Sequence, residues 1–184
     1  MRSMASLGAW FQAGKRQNTR NHFSSTMKHA GCWLIAGLSL SVSLTVTAAT
    51  RYVNVNCLAS ALPYATWETA ATNIQDAVDV ASDGDAIWVT NGVYQTGGCV
   101  VYGSNRVAVT RALTVQSVNG PGMTIVEGYQ VPGETNGDAA IRCVYLTNGA
   151  VLSGFTLTNG ATRSVYPTEE ESGGGVWCAS TNAV

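Results

Sequence analysis

The sequence has few charged residues, and they are distributed unevenly. Only 11% of the 184 residues are Asp, Glu, Lys or Arg, and neither Lys nor His occurs after His29. From Ala49 to Val184 the chain carries five Arg against eleven acids, which gives a net charge of −6. Binding to nucleic acid or to an anionic membrane surface depends on clustered cations, so the sequence predicts neither partner.

Metal-binding patterns are also missing. There is no CxxC or Cys/His spacing, and His22 and His29 both precede the main part of the chain, so we expect no zinc site. In an oxidising compartment, two disulfides with three alternative pairings are open to the later cysteines. The other interpretation is that some of them are small apolar core residues. These cysteines are Cys57, Cys99, Cys143 and Cys178.

Residues 1–48 hold five basic residues and no acid. An apolar run, AGCWLIAGLSLSVSLTV, ends at Val46-Thr47-Ala48, a small-residue pattern typical of signal-peptidase sites. We expect 27–49 to be a signal peptide, cleaved after Ala48 or Ala49. Residues 1–26 are then a leader extension, or Met27 is the true start instead of Met1. The predicted location is secreted or cell surface. An uncleaved anchor competes, since the run approaches the ~18 residues of a span, and membrane contact is expected only through it.

One segment after the leader has a helical pattern. In TNIQDAVDVASDGD, the apolar residues Ile74, Ala77, Val78 and Ala81 recur at the spacing of one helix face. Thr72 and Gln75 form a capping-box pattern at its start. The turn at 83–85, Asp-Gly-Asp, is expected to end the helix.

Short β-rich runs separated by Gly and Asn make up the remainder: AIWVT, VYQTG, RVAVT, LTVQS, TIVEGY, IRCVYLT, VLSGFTLT and GGVWC. Asn-Gly pairs between such runs are typical of antiparallel hairpins, which would give a sandwich or barrel. They also suit the corners of a parallel β-solenoid. LTNGA occurs at 146–150 and again at 157–161, an eleven-residue offset that favours stacked strand-turn units.

Longer phrases resemble the right-handed parallel β-helix, or pectin-lyase-like, secreted bacterial proteins. The helix is followed by ASDGDAIWVTNGVYQTGG, then by LTVQSVNGPGMTIVEGYQ and AVLSGFTLTNG. The resemblance implies an all-β, right-handed parallel β-helix, with an N-terminal capping α-helix, after a cleaved signal peptide. Residues 50–184 would be the N-terminal cap and first coils of a truncated domain, with further coils after Val184 and edge-to-edge self-association of the open end.

The same resemblance implies two functional classes. Some members of this family bind or process extracellular polysaccharide, often with calcium, and others are structural or adhesive cell-surface rods. We expect a carbohydrate-associated protein, with the rod as the alternative. Fold alone does not choose between these two classes. If the protein is an enzyme, it is expected to be a polysaccharide lyase or glycoside hydrolase whose active site lies outside this segment, in the further coils.

No catalytic, cofactor or metal residue is predicted within the segment. Glu127 is the one acid in a clear β run, and Arg142 is the nearest strand cation. Glycosidase chemistry requires two carboxylates, and the next β runs contain no acid to match Glu127. Helix-associated acids and a solvated run of three Glu need no metal. They are Asp76, Asp79, Asp83, Asp85, Glu169, Glu170 and Glu171.

The aromatic residues and the asparagines of the turns are expected to have structural roles. Five aromatics could stack on sugars, yet they lie in or beside apolar runs, so core packing is expected. They are Trp67, Trp88, Tyr94, Tyr129 and Trp177. Asn148 and Asn159 are expected to turn corners, with Asn-Gly supplying two successive positive φ angles, and to hydrogen-bond to neighbouring coils.

Overall fold

A computed structural model of the chain describes residues 47–164 and 168–184, so the signal-peptide predictions for residues 1–46 lie outside the described residues. The helices are α1 (Ile74–Val80) and α2 (Thr168–Glu171). The strands are β1 (Thr50–Val53), β2 (Ala86–Val89), β3 (Gly92–Tyr94), β4 (Cys99–Val100), β5 (Ser104–Val109), β6 (Thr114–Ser117), β7 (Thr124–Glu127), β8 (Arg142–Leu146), β9 (Val151–Ser153), β10 (Thr156–Thr158) and β11 (Val176–Cys178).

The strands form three sheets that the chain visits in turn. Sheet A has the order β1-β2-β6-β9, sheet B the order β3-β7-β10, and sheet C the order β4-β5-β8-β11. Every strand pair is parallel except β4 with β5. The result is a parallel β-solenoid of about four turns. The solenoid prediction is therefore confirmed over the antiparallel meander.

The eleven-residue offset is not the coil period. Strand register places Val115 beside Ile87 and Leu152, which are 28 residues before it and 37 after it. The two LTNGA copies lie on different faces, since Leu146 belongs to β8 of sheet C and Leu157 to β10 of sheet B. The repeat thus marks two corners of adjacent faces, and loops of unequal length make the true period irregular.

The core is a column of aliphatic side chains enclosed by the three sheets. Residues from each sheet that are at most 2% exposed pack in one cluster, including Ile87, Val115, Val126, Val144 and Leu146. In β2 and β6 they alternate with half-buried residues, as expected when one sheet face is buried. Burial of each such side chain contributes about 1.5–3 kcal/mol.

The helix prediction is confirmed in its apolar face and corrected at its ends. The predicted apolar face is buried. The N-cap is Asn73, whose Oδ1 accepts from the Asp76 N–H at 2.9 Å, so the capping box at Thr72 is wrong. Gln75 is instead buried and pairs with both backbone groups of Ala108, accepting at 2.7 Å and donating at 3.4 Å. The helix ends at Val80, before the predicted 83–85 turn. Its role as an N-terminal cap, like the right-handed sense of the coil, stays a prediction.

The Asn-Gly corners follow a simpler rule than predicted. Each of four pairs with a positive φ at glycine, such as Gly120 (80°) and Gly149 (76°), has no positive φ at its asparagine, while Asn159 (54°) has it and Gly160 does not. One positive φ per corner is thus enough. The hydrogen bonds predicted between coils are present. Asn148 Oδ1 accepts from Asn182 Nδ2 at 3.0 Å, and Asn159 Nδ2 donates to Glu127 Oε1 at 3.3 Å.

Candidate functional site

Three aromatic residues, two on neighbouring strands and one on a loop, lie at the outer surface of sheet A. Tyr52 of β1 and Trp88 of β2 are register partners, and the buried neighbours Val53 and Val89 show that these rings point outward. The Trp67 ring lies 4.5 Å from the Tyr52 ring, centroid to centroid, at 58°. Trp67 is 39% exposed. We call Trp67, Tyr52 and Trp88 the aromatic face.

The loop after β1 brings Trp67 into place by folding back along the free edge of that strand. Tyr52 N–H donates to Tyr64 O at 2.8 Å, and Ala71 N–H donates to Tyr52 O at 2.9 Å. The loop thus satisfies backbone groups that an edge strand leaves unpaired. Strand β1 was not predicted, although its Thr-Arg-Tyr-Val sequence is rich in β-forming residues.

Polar side chains continue the same row across sheet A. The register partner of Trp88 on β6 is Gln116, and that of Gln116 on β9 is Ser153. Strands are spaced about 4.8 Å apart, so the row from Tyr52 to Ser153 is about 14 Å long. The row changes from aromatic rings to an amide and then to a hydroxyl.

Every arginine in this described part of the chain is engaged by protein groups: four donate to protein oxygens, and Arg51, whose buried Nε has no hydrogen-bond partner, forms an ion pair. Arg51 pairs with Asp85 at 3.5 Å, and Arg163 pairs with Asp138 at 3.0 Å and Glu170 at 2.6 Å. The other three donate to backbone carbonyls. They are Arg106, Arg111 and Arg142.

Arg142, which sequence analysis considered as a cation facing substrate, is buried at 1% exposure. Its guanidinium donates to Asn105 Oδ1 at 2.7 Å and to the carbonyls of Tyr102, Glu169, Ser172 and Gly173. Burial lowers its pKa from the usual arginine value. Arg142 therefore fastens two loops to sheet C and is not available to a ligand.

Glu127 is also held by hydrogen bonds to other parts of the protein. Its Oε1 accepts from Asn159 Nδ2 of the next coil at 3.3 Å, and its backbone carbonyl accepts from Arg106 Nε at 2.8 Å. Its register partner is Thr158, so no carboxylate lies beside it on β10. Within the described ranges, no group of three His, Cys, Asp or Glu could hold a metal ion. That Glu127 is not catalytic stays a prediction.

The predicted acids near α1 each accept a hydrogen bond. Asp76, Asp79 and Asp83 accept from Asn73 Nδ2, Gln75 Nε2 and Ala112 N–H respectively. Asp85, expected in an exposed turn, is 3% exposed and accepts from two backbone N–H groups. A groove of about 540 Å³ at the end of α1 contains Asp79, Asp83 and Arg111, all of them engaged in these bonds.

The run of three Glu is helical, which corrects the prediction of a loop. Helix α2 spans it, and two of its acids have a clear structural use. The Glu169 carbonyl accepts from Arg142 at 2.6 Å, and the Glu170 carboxylate pairs with Arg163. Helix α2 is thus part of the chain segments that cover sheet C.

The other aromatic residues have different environments. Tyr94 is a core residue, 1% exposed, as predicted, with its hydroxyl donating to Thr90 O at 2.9 Å. Burial raises the pKa of Tyr94 to about 12. Tyr129 is 40% exposed and Trp177 is half-buried, and neither belongs to the core cluster, so core packing is wrong for both, as it is for Trp67 and Trp88.

The four cysteines in the described ranges are all free, so the structure contains neither of the two disulfides that the sequence left open. Cys143 is a buried core residue, in line with the alternative interpretation. Cys178 pairs in register with Leu146, three residues beyond Cys143, which places the two cysteines about 10 Å apart along the strands. That separation exceeds the ~7 Å limit for the Cα atoms of a disulfide.

Comparison with protein-family models, with curated proteins and with solved structures found no match for this chain. Neither helix in the described ranges has the length and apolar character needed to cross a membrane. The candidate site therefore rests on the geometry of the aromatic face and on the engagement of the arginines.

Proposed function

We propose that this chain is an exported, right-handed parallel β-helix protein of the pectin-lyase-like kind that binds neutral extracellular polysaccharide on sheet A. The observation that carries the proposal is the aromatic face, in which the Trp67 and Tyr52 rings are in contact and Trp88 is the register partner of Tyr52 on the next strand. The resemblance to polysaccharide-binding β-helix proteins supports the same ligand class.

The chemistry of a sugar ring fits this surface. One face of a pyranose presents C–H groups, which are slightly positive and are attracted to the negative face of an aromatic ring. Gln116 and Ser153 continue the row and offer an amide and a hydroxyl to sugar hydroxyls. A linear glycan would thus cross the strands, with its apolar face on Trp88 and its hydroxyls over Gln116.

The arginine contacts favour a neutral glycan over a polyuronate. A carboxylate-bearing chain would need cations at the binding surface, because charge-assisted hydrogen bonds are the strong contacts to carboxylates. Arg51 is the cation nearest to the aromatic face in sequence, and it is paired with Asp85. From the sequence alone, acidic polysaccharides were also possible ligands.

Binding to immobilised and soluble glycans tests the proposal. The protein would be titrated with neutral polysaccharides and with polygalacturonate and alginate, each with calcium and with chelator. Trp67→Ala and Trp88→Ala are expected to weaken neutral-glycan binding at least about tenfold each, because central aromatic residues dominate binding surfaces. Tyr129→Ala is the matched control, since its exposure of 40% is close to the 39% of Trp67 but it lies on the β7–β8 loop.

Three outcomes contradict the proposal. Neutral-glycan binding that survives both tryptophan substitutions places the ligand elsewhere. Preference for a polyuronate, with or without calcium, overturns the argument from the arginines. Absence of binding to every glycan favours the alternative, a structural or adhesive rod.

A further inference from the structure

Asp85 is a buried carboxylate that accepts a hydrogen bond from Ala49, the residue just before β1. Its side chain is 4% exposed, and Oδ1 accepts from the backbone nitrogen of Ala49 at 2.6 Å. Oδ2 accepts from the Ser82 N–H at 2.9 Å and lies 3.5 Å from Arg51 Nη2. The shortest of these contacts is therefore the one to Ala49.

Ala49 is also the residue at which the chain enters the sheet. Its carbonyl accepts from the Ala86 N–H at 2.9 Å, which continues the β1–β2 ladder by one residue. Ala49 is half-buried, whereas Thr47 and Ala48 are exposed. The Ala48–Ala49 peptide bond thus lies where the chain passes from solvent into the solenoid.

We infer that signal peptidase cleaves between Ala48 and Ala49, and that the new α-ammonium group of Ala49 binds the buried Asp85 carboxylate. Hydrolysis adds one water across the peptide bond, leaving a carboxylate on Ala48 and an ammonium on Ala49. Val46 and Ala48 then occupy the small-residue positions three and one before the cut. The inference rests on the export part of the proposed function and is independent of glycan binding.

The structure distinguishes the two cleavage positions that the sequence left open. Cleavage after Ala49 would remove both the nitrogen that donates to Asp85 and the carbonyl that accepts from Ala86. The new terminus would then begin at Thr50, one residue further along β1. Cleavage after Ala48 keeps both contacts and changes only the charge of the donor.

That change of charge strengthens the contact. The Ala49 amide already donates to an ionised carboxylate, and an α-ammonium group in its place would add a direct attraction between opposite charges, which is stronger at a buried site than in water. Asp85 would then face two cations, the Ala49 ammonium and Arg51, together with the Ser82 N–H. Leader removal would therefore stabilise the first strand pair of sheet A in the mature protein.

The first experiment is N-terminal sequencing of protein exported from the full-length chain. The expected first residue is Ala49. A terminus at Thr50 or at any other position overturns the inference.

The second experiment measures the ammonium contact. Mature chains beginning at Ala49 and at Ala48, and an Ala49 chain with an acetylated terminus, would be unfolded in denaturant. The free Ala49 chain is expected to have a folding equilibrium constant about tenfold larger than the other two, from the added attraction between the ammonium and the Asp85 carboxylate. In Asp85→Asn backgrounds this difference should disappear.

Equal stability of the free and acetylated Ala49 chains contradicts the inference. That comparison needs no substitution, so it stands even where Asp85→Asn fails to fold. Glycan binding by the same chains is measured separately, and its loss in Trp88→Ala with an unchanged terminus would leave the processing result intact.

Discussion

Sheets A and C belong to the same coils but present different outer surfaces. In sheet A, Trp88 and Gln116 stay half-exposed, and the aromatic face is accessible. In sheet C, every residue of β8 is buried, including Tyr145, whose ring lies 6.2 Å from that of Tyr102 on a covering loop. The two inner strands of sheet C, β5 and β8, are thus buried on both sides, which matches the nearly continuous apolar sequence of β8.

The lengths of the connections explain the difference. Chain segments that lead from sheet C to sheet A, at 110–113 and 147–150, hold four residues each. The segments from β7 to β8 and from β10 to β11, which lead from sheet B to sheet C, are longer, at 128–141 and 159–175, whereas four residues, 95–98, join β3 to β4. The long segments supply the material that covers sheet C, while short corners leave sheet A open. Ligand binding is therefore expected on the sheet whose corners are short.

Arg142→Met should have the largest effect, because it removes the group that fastens the covering loops to sheet C. Several buried carbonyls and Asn105 Oδ1 would lose their donor. The expected loss is about 3–5 kcal/mol of unfolding free energy, measured in denaturant. Arg163→Met is the control, since Arg163 is more exposed and makes a surface pair. Equal losses in both variants would show that Arg142 does not hold sheet C together.

Gly160→Ala should have the next largest effect, because it forces two coils apart beside sheet C. A Cβ at Gly160 would overlap the carbonyl oxygen of Gly174 and lie 2.6 Å from Cys143 Sγ. Overpacking of this kind costs about 1–3 kcal/mol. Gly122→Ala is the matched control, since its Cβ would meet nothing within 4 Å. A Gly160→Ala protein with the melting temperature of the Gly122→Ala protein would contradict the close packing of these coils.

Local sequence patterns predict the strands but not what covers them. The runs around β2, β6, β7 and β8 are visible as β-branched and aromatic stretches, and their parallel stacking is confirmed. The role of Arg142 depends on partners 27 to 40 residues away, which no local pattern contains.

The aromatic face has the same origin. The alternation of Ile87, Trp88 and Val89 contains a signal that Trp88 points outward, but Trp67 reaches Tyr52 only because its loop returns along β1. The Gln75 side chain bonds to Ala108 of β5, so it does not complete the capping box predicted with Thr72. Asn73 is the N-cap instead. Contacts between distant segments thus decided the parts that the sequence left unpredicted.

Acid should weaken sheet A at its first strand pair through Asp85, and this is the smallest effect we predict. Burial raises the pKa of Asp85, but the N–H groups of Ser82 and Ala49 and the charge of Arg51 together lower it further, so the net pKa lies below its usual value. A carboxylate with a lowered pKa stabilises the fold above its unfolded pKa of about 3.9, and this contribution is lost as the pH falls through the folded pKa. Melting temperatures between pH 7 and pH 2 should therefore fall more steeply below about pH 4 for the natural protein than for Asp85→Asn. Arg142 stays charged throughout this range, so sheet C should not respond in the same way. Parallel melting curves for the two proteins in acid would show that Asp85 does not stabilise the β1–β2 pair.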